Sequence, residues 1–266
     1  MSSVNIENLK TGYNDTIIIN DLEIKFKENK ISSIIGSNGC GKSTLLKSIG
    51  RILKPKNGVV YINGESISKK PTKVLAREMA ILPQTPSAPY GITVFELVSY
   101  GRFPHNSKLN KEDIEITKKA IKITGLQGFE DRSVDSLSGG QKQRVWIAMA
   151  ICQQTDIILL DEPTTYLDMA YQLEVLLLLK ELNEKYNTTI IMVLHDLNLA
   201  SRVSHELIAM RDGSIVKSGT PEEVMTKETL REVYDIDANL IYDEATDTKV
   251  CLSYTLISKD RNIKEV

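Results

Sequence analysis

The segment GSNGCGKST, residues 36–44, limits what this chain can fold into more than any other feature of its sequence. It follows a β-branched apolar run at residues 31–35 and precedes a helical pattern of apolar positions, so the expected order is strand, loop and helix. The glycines of the loop let the backbone approach a phosphate closely, with N–H groups and the start of the next helix directed at the anion. This arrangement predicts a Walker A phosphate-binding loop.

The side chains of that loop indicate separate tasks. Lys42 is expected to reach the β and γ phosphates of a nucleoside triphosphate, and Ser43 is expected to bind Mg²⁺. Cys40 lies inside the loop, where a small packing residue is favoured over a reactive thiol. The residues expected to contact the nucleotide here are Gly36, Ser37, Asn38, Gly39, Cys40, Gly41, Lys42, Ser43 and Thr44.

A second part of the nucleotide site is predicted by residues 157–162, IILLDE, where an apolar strand ends in two carboxylates. Because burying a carboxylate costs free energy, such a pair at the end of a buried strand indicates a function. Asp161 is expected to hold the metal ion through water, while Glu162 is placed where a general base polarises an attacking water. Together with the phosphate loop, this strand predicts a nucleoside triphosphatase.

Hydrophobic periodicity predicts an α/β fold. The predicted strands are residues 4–9, 17–19, 24–26, 31–35, 59–62, 157–160 and 189–194, with a hairpin at 206–217 around Asp212-Gly213. The predicted helices are residues 93–101, 111–123, about 140–153 and 171–185, with a further helix start at Pro221. Because a helix separates the strands at 157–160 and 189–194, this part of the chain predicts a βαβ unit and a parallel sheet.

Composition excludes several other classes of protein. The 266 residues carry 33 basic and 35 acidic side chains with a formal charge of -2, which argues against nucleic acid as the main partner. No apolar run approaches the roughly 20 residues that a membrane-spanning helix needs, and residues 1–10 lack the features of a secretory signal. The scattered cysteines fit a reducing cytoplasm.

The segment LSGGQ, residues 137–141, precedes a helical stretch, so its hydroxyl and glycine N–H groups predict a second anion site at a helix start. With this segment shortly before a strand that ends in Asp-Glu, the sequence resembles the ATP-binding subunits of ABC transporters. The resemblance covers residues 4 to about 220, and the one small departure is Ser37, where many members have proline. It implies that Ser138, Gly139, Gly140 and Gln141 contact a nucleotide.

Other positions match this family in order. Gln84 resembles the glutamine of its Q-loop, with expected roles in catalysis and as a metal ligand beside Ser43 and Asp161. Residues 165–168 resemble the D-loop, which assigns Asp168 to nucleotide binding, and His195 resembles the switch histidine. Tyr13 matches the aromatic residue that stacks on adenine. The resemblance thus implies that Lys42, Gln84, Glu162 and His195 serve catalysis.

The resemblance also implies the domain organisation. We expect a P-loop NTPase (RecA-like) core at about 1–88 and 155–220, with an N-terminal antiparallel β subdomain and an inserted helical subdomain at about 89–154. The ATP-binding domain is expected to cover residues 2–237, and residues 221–266 are expected to form a C-terminal extension.

Residues 91–105 and 162–168 are similar to those of importers of iron-siderophore, haem and cobalamin. The resemblance implies that the protein binds ATP and Mg²⁺, forms a head-to-tail dimer and lies at the cytoplasmic face of the membrane. It works with transmembrane permease subunits and, through them, with an extracytoplasmic binding protein. Ferric siderophore is the preferred cargo, with haem, cobalamin or a metal ion as alternatives. A soluble ABC-type switch without a permease, a binding protein without turnover and a P-loop kinase are the rival interpretations.

Overall fold

The computed structural model of the protein describes residues 3–257 as three β-sheets with helices packed against them. The strands are β1 Val4–Tyr13, β2 Thr16–Phe26, β3 Ile31–Gly36, β4 Asn57–Ile62, β5 Glu65–Ser66, β6 Met79–Leu82, β7 Ile157–Asp161, β8 Thr189–Val193, β9 Glu206–Arg211, β10 Ser214–Gly219, β11 Ile236–Asp243 and β12 Thr248–Leu256. The helices are α1 Lys42–Ile49, α2 Thr72–Glu78, α3 Val94–Ser99, α4 Lys111–Ile123, α5 Gly139–Cys152, α6 Met169–Tyr186, α7 Leu197–Val203, α8 Pro221–Val224 and α9 Lys227–Tyr234. Two expected domain boundaries, at residues 1 and 2, lie outside the described residues. The last part of the expected C-terminal extension, residues 258–266, also lies outside them.

The central sheet has the strand order β10-β9-β3-β8-β7-β6. Neighbouring strands from β9 to β6 are parallel, whereas β10 pairs antiparallel with β9 through the turn at Asp212 and Gly213. Both turn residues have positive φ, as a two-residue hairpin requires. The predicted βαβ unit is confirmed as β7, α6 and β8. Every residue of β7 and β8 is buried, because helices or the second sheet cover both faces.

The N-terminal strands form an antiparallel sheet with the order β2-β1-β4-β5. The prediction of separate strands at 17–19 and 24–26 was wrong, because β2 is continuous from Thr16 to Phe26. Its polar residues lie opposite irregularities in the register of β1 rather than in a turn. Asn8 and Asp21 both have positive φ, and the Asn8 side-chain amide donates to the Asp21 carboxylate at 3.1 Å. Asn and Asp usually mark turns, but in these two strands they occupy a β-bulge.

Helices α3, α4 and α5 lie between β6 and β7 in the chain and share an apolar cluster of their own. The predicted helix at 93–101 is shorter than expected, because Thr93 is the N-cap of α3 and a 3₁₀ turn, Tyr100–Arg102, follows Ser99. Helix α5 begins at Gly139, slightly earlier than predicted. The α/β prediction, with an antiparallel N-terminal sheet and an inserted helical unit, is confirmed.

The chain after residue 220, for which the sequence predicts only a helix start, continues as α8, α9 and a β11–β12 hairpin. Thr220 and Glu223 form a capping box at the start of α8. Residues of α9 and β11 join the apolar cluster that covers one face of the central sheet. None of the helices within residues 3–257 combines the length and the hydropathy that a membrane span requires.

Candidate nucleotide-binding site

The predicted site residues follow the carboxyl ends of neighbouring parallel strands. The phosphate loop follows β3, His195 follows β8, Asp161 ends β7 and Gln84 follows β6. Since β3, β8, β7 and β6 are adjacent in the sheet, these ends meet at one edge. This is the edge at which parallel α/β sheets bind their ligands.

Lys42 is buried and folded back over the phosphate loop. Its Nζ atom donates hydrogen bonds to the carbonyl oxygens of Gly36, at 2.8 Å, and Ser37, at 2.9 Å. The loop therefore surrounds a positive charge at the start of α1. The N-cap of α1 is Gly41, with φ of 108°, and among the described residues no side chain caps this helix. Its first N–H groups are thus directed at whatever anion the loop encloses.

Two glycines of the loop are required for different physical reasons. A Cβ atom on Gly36 would lie 2.3 Å from the carbonyl oxygen of Met210, so the close approach of β9 demands a glycine. Gly39 has φ of 81°, and a Cβ atom there would meet nothing within 4 Å among the described residues. The requirement for glycine at this position therefore comes from its backbone conformation alone.

Cys40 has the packing role that the sequence favours. The residue is buried, and burial raises the pKa of its thiol. Its carbonyl oxygen accepts a hydrogen bond from the N–H of Gly213 at 2.9 Å, which ties the phosphate loop to the β9–β10 turn.

Ser43 and Asp161 are in direct contact. The Ser43 hydroxyl donates to Oδ1 of Asp161 at 2.8 Å, and Asp161 is only 4% exposed. Burial raises the pKa of the Asp161 carboxyl, while the hydrogen bond from Ser43 acts in the opposite direction. A buried carboxylate beside a hydroxyl at the mouth of a phosphate loop offers the hard oxygen donors that Mg²⁺ prefers, so these residues fit that ion.

Two of the other predicted catalytic residues, Gln84 and His195, converge on Glu162. Its Oε1 atom lies 2.6 Å from Nε2 of His195, and its Oε2 atom accepts a hydrogen bond from the Gln84 amide at 2.5 Å. The Thr165 hydroxyl donates to the same Oε2 atom at 3.0 Å. The backbone of Glu162 has φ of 52°, a conformation that costs a non-glycine residue free energy and persists where the surroundings fix it.

Thr165 is a site residue that the sequence reasoning did not single out. It lies in the turn after β7, where its N–H donates to the carbonyl oxygen of Glu162 at 3.3 Å. A hydroxyl residue three positions after the carboxylate in a tight turn is the signal from which this contact could have been inferred.

The segment of residues 137–141 forms the start of α5. The Ser138 hydroxyl accepts a hydrogen bond from the Gln141 N–H at 3.3 Å, and Oε1 of Gln141 accepts one from the Ser138 N–H at 3.0 Å. A Cβ atom on Gly140 would lie 3.0 Å from the ring of Tyr171, so α6 packs tightly against this segment. None of the hydrogen bonds found among residues 3–257 joins this segment to the phosphate loop.

Asp168 and Tyr13 are two further residues that the sequence predicts to contact the nucleotide. Asp168 is the N-cap of α6, where its Oδ1 atom accepts a hydrogen bond from the N–H of Tyr171 at 3.1 Å. Tyr13 ends β1 with 45% of its surface exposed. Both side chains are accessible, and their roles with nucleotide stay predictions.

Comparisons with known proteins agree with this geometry. The family model described as "ABC transporter" matches residues 19–165. The chain is 52% identical over its whole length to the whole of the iron(3+)-hydroxamate import ATP-binding protein FhuC of Bacillus subtilis. It is 44% identical to the ferric enterobactin transport ATP-binding protein FepC of Escherichia coli, with 91% of this chain and 90% of the relative covered. Among solved structures, the ATP-binding cassette MJ0796, a dimer in a post-hydrolysis state with ADP and Pi, matches with a TM-score of 0.73 and 30% identity over 82% of this chain and 98% of that one.

Proposed function

This chain belongs to the ABC transporter family, as an ATP-binding ATPase, and we propose that it powers the import of a ferric siderophore. The observation that carries the catalytic part is the convergence of Gln84, Thr165 and His195 on the Glu162 carboxylate beside the phosphate loop. The cargo is supported by the names of relatives that share about half of the sequence, such as the hydroxamate and petrobactin importers.

The phosphate loop binds the triphosphate through the N–H groups at the start of α1 and through Lys42. Two of the three N–H donors of Nζ are engaged by the carbonyl oxygens of Gly36 and Ser37, and the third is proposed to meet the terminal phosphates. We propose Ser43, Asp161 and Gln84 as the residues that hold Mg²⁺, directly or through water. When bound, this ion neutralises charge on the phosphate oxygens. The contact between Ser43 and Asp161 supports the first two assignments.

Glu162 is the proposed general base for the attacking water. Its Oε2 atom accepts hydrogen bonds from Gln84 and Thr165, whereas Oε1 contacts only His195, so Oε1 keeps an acceptor site for the proton of the water. The Thr165 hydroxyl and the turn after β7 keep the carboxylate at the sheet edge. The side chain of His195, the partner at Oε1, is 45% exposed.

The second half of each site is proposed to come from another copy of the chain. Ser138 and Gly139 are exposed at the start of α5, and none of the hydrogen bonds within residues 3–257 joins them to the phosphate loop of their own chain. Tyr166 and Met169 beside them are 87% and 86% exposed, which supports a partner surface there. In this dimer, Tyr13, Asp168 and Ser138 to Gln141 would contact nucleotide, and the domain boundaries would be those expected from the sequence.

A permease is the proposed partner at the surface around Gln84. Residues 83–91 link β6 to the helical unit, and Tyr90 in this link is 95% exposed. We propose that the chain lies at the cytoplasmic face of the membrane and serves an extracytoplasmic binding protein through that permease. Uptake of labelled ferric hydroxamate, haem and cobalamin by cells that lack this chain would decide the cargo, with loss of hydroxamate uptake as the expected result.

The substitution Glu162→Gln tests the catalytic assignment. Loss of the base should lower ATP hydrolysis by on the order of 10²-fold or more, whereas ATP binding should stay intact because Lys42 and the loop are unchanged. Size-exclusion chromatography with ATP should then show an accumulated dimer. Exposed Glu181 on α6 provides the control Glu181→Gln, which should hydrolyse ATP at the normal rate. Normal turnover by the Glu162 variant would contradict the assignment.

A further inference from the structure

The β11–β12 hairpin is bonded to the helix that follows His195. The Asn198 side chain makes two hydrogen bonds with the backbone of Cys251 on β12. Its amide donates to the carbonyl oxygen at 3.1 Å, and its oxygen accepts from the N–H at 2.7 Å. The Ser201 hydroxyl donates to the carbonyl oxygen of Lys249 at 3.0 Å. Helix α7 is therefore held along the edge of the hairpin by side chains that the nucleotide site does not use.

The position of α7 determines where His195 can reach. Asp196 is the N-cap of α7, with its side chain accepting from the N–H of Leu199 at 2.8 Å, so His195 directly precedes a fixed helix start. The imidazole contacts the Glu162 carboxylate, and the side chain is about half-buried. Between it and the hairpin lies a cavity of about 360 Å³, lined by His195, Asn198, Tyr234 and Tyr254 among others. The hairpin thus borders the same cavity as the histidine.

The same C-terminal region also reaches the phosphate loop. The Tyr234 hydroxyl, at the end of α9, is fully buried and has no hydrogen-bond partner among the described residues. Burial raises the pKa of this phenol, and the backbone of Gly36 is close enough to oppose the rise. The chain after residue 220 therefore lies near the start of the loop, at Tyr234, and borders the cavity beside His195.

We propose that the C-terminal hairpin positions His195 for ATP hydrolysis. Asn198 is the positioning residue, because its hydrogen bonds to Cys251 fix α7 on the hairpin. This inference rests on the proposed function, since it assigns the hairpin to the same site. Asn198 touches neither the loop nor Glu162, and its effect on turnover would pass through the placement of the imidazole.

A double-mutant cycle in the full-length chain tests the proposal. Asn198→Ala should lower kcat about tenfold and leave the KM for ATP within about twofold, because the phosphate loop is unchanged. In a His195→Ala background the same substitution should have no further effect, since the residue through which it acts is already gone. Asn183→Ala is the matched control, because the Asn183 amide also donates to a backbone carbonyl, that of Thr188, at the far end of α6. It should lower the melting temperature without lowering kcat at 25 °C.

A spectroscopic measurement separates this proposal from the proposed function. The chain has 3 histidines, so the imidazole signals in a ¹H–¹³C NMR spectrum can be assigned by single substitutions. Asn198→Ala should shift the His195 signal and leave that of His205 in place. An unchanged His195 signal would overturn the positioning role. So would a finding that Asn198→Ala lowers kcat by the same factor in the native chain and in the His195→Ala background. A shifted signal in a chain that hydrolyses no ATP would support the positioning and overturn the proposed function instead.

Discussion

The starts of α1 and α5 were both predicted to bind an anion, yet they are built differently. Helix α1 begins at a left-handed glycine, and the structure shows no side-chain cap there within the described residues. Helix α5 begins with a capping box in which Ser138 and Gln141 satisfy each other's backbone N–H groups. The first helix start has all its N–H groups uncapped by side chains, whereas at the second the capping box engages the N–H groups of Ser138 and Gln141 and does not use those of Gly139 and Gly140.

The other capping boxes show what is unusual about α5. At the starts of α3 and α8 the reciprocal acceptor is a carboxylate, Glu96 or Glu223, and hydrogen bonds from the N-cap residues lower the pKa of each. At α5 the acceptor is the neutral amide of Gln141, and the first turn carries no acidic residue. A neutral cap preserves the positive end of the helix, so α5 is stabilised in a way that does not repel a phosphate.

The largest expected effect is at the open helix start. Lys42→Ala should lower ATP hydrolysis by on the order of 10²- to 10³-fold, because the buried cation that faces the phosphates is lost. Nucleotide binding, measured by equilibrium fluorescence titration, should weaken with it. Exposed Lys69 supplies the control Lys69→Ala, for which no change is expected. Tight ATP binding by the Lys42 variant would contradict the description of the α1 start as the open phosphate site, in contrast to the capped start of α5.

A charge at the capped helix start should separate stability from activity. Gln141→Glu keeps an acceptor for the Ser138 N–H, so the melting temperature should not fall. Hydrolysis should drop at least about tenfold, since like charges about 4 Å apart repel by about 4 kcal/mol at an effective dielectric constant of about 20. Added salt should restore part of the loss. An unchanged rate would mean that no phosphate approaches α5.

The smallest effect is expected from removing the cap itself. Ser138→Ala should cost about 1 kcal/mol of unfolding free energy and about 2 to 4 °C in melting temperature. Because the same hydroxyl is proposed to meet nucleotide in the dimer, hydrolysis should fall as well. Thr220→Ala removes the equivalent N-cap of α8 and should give a similar thermal shift with normal hydrolysis. Equal rates in the two variants would reduce Ser138 to a structural role.

Much of the site could be predicted from the sequence because its residues directly follow strands with clear apolar patterns. The phosphate loop after β3 and the Asp161-Glu162 pair at β7 belong to this group. The sequence-based prediction was wrong where a polar residue lies in a β-bulge instead of a turn. Asp21 lies in the gap between two predicted strands but occupies a bulge of β2 beside Asn8, because the register of two strands is a property of their pairing.

The C-terminal region shows the same limit more strongly. Its sequence predicted only the helix start at Pro221, and residues 236–256 gave no usable signal. The hairpin there is stabilised by contacts with α7 and the central core, such as the bonds between Asn198 and Cys251, which are 53 positions apart. No local pattern specifies a partner at that distance.

The amino-acid sequence alone determined the chemistry of the protein, because a glycine loop, a lysine and two carboxylates at strand ends are local features that need only a strand and a helix beside them. The tertiary structure decided how these groups are connected. Gln84 and His195 share the Glu162 carboxylate only because β6, β7 and β8 are neighbours in the sheet. Strand order brings together residues such as Gln84 and Glu162, which are 78 positions apart, and it is set by packing of the whole domain rather than by any one segment.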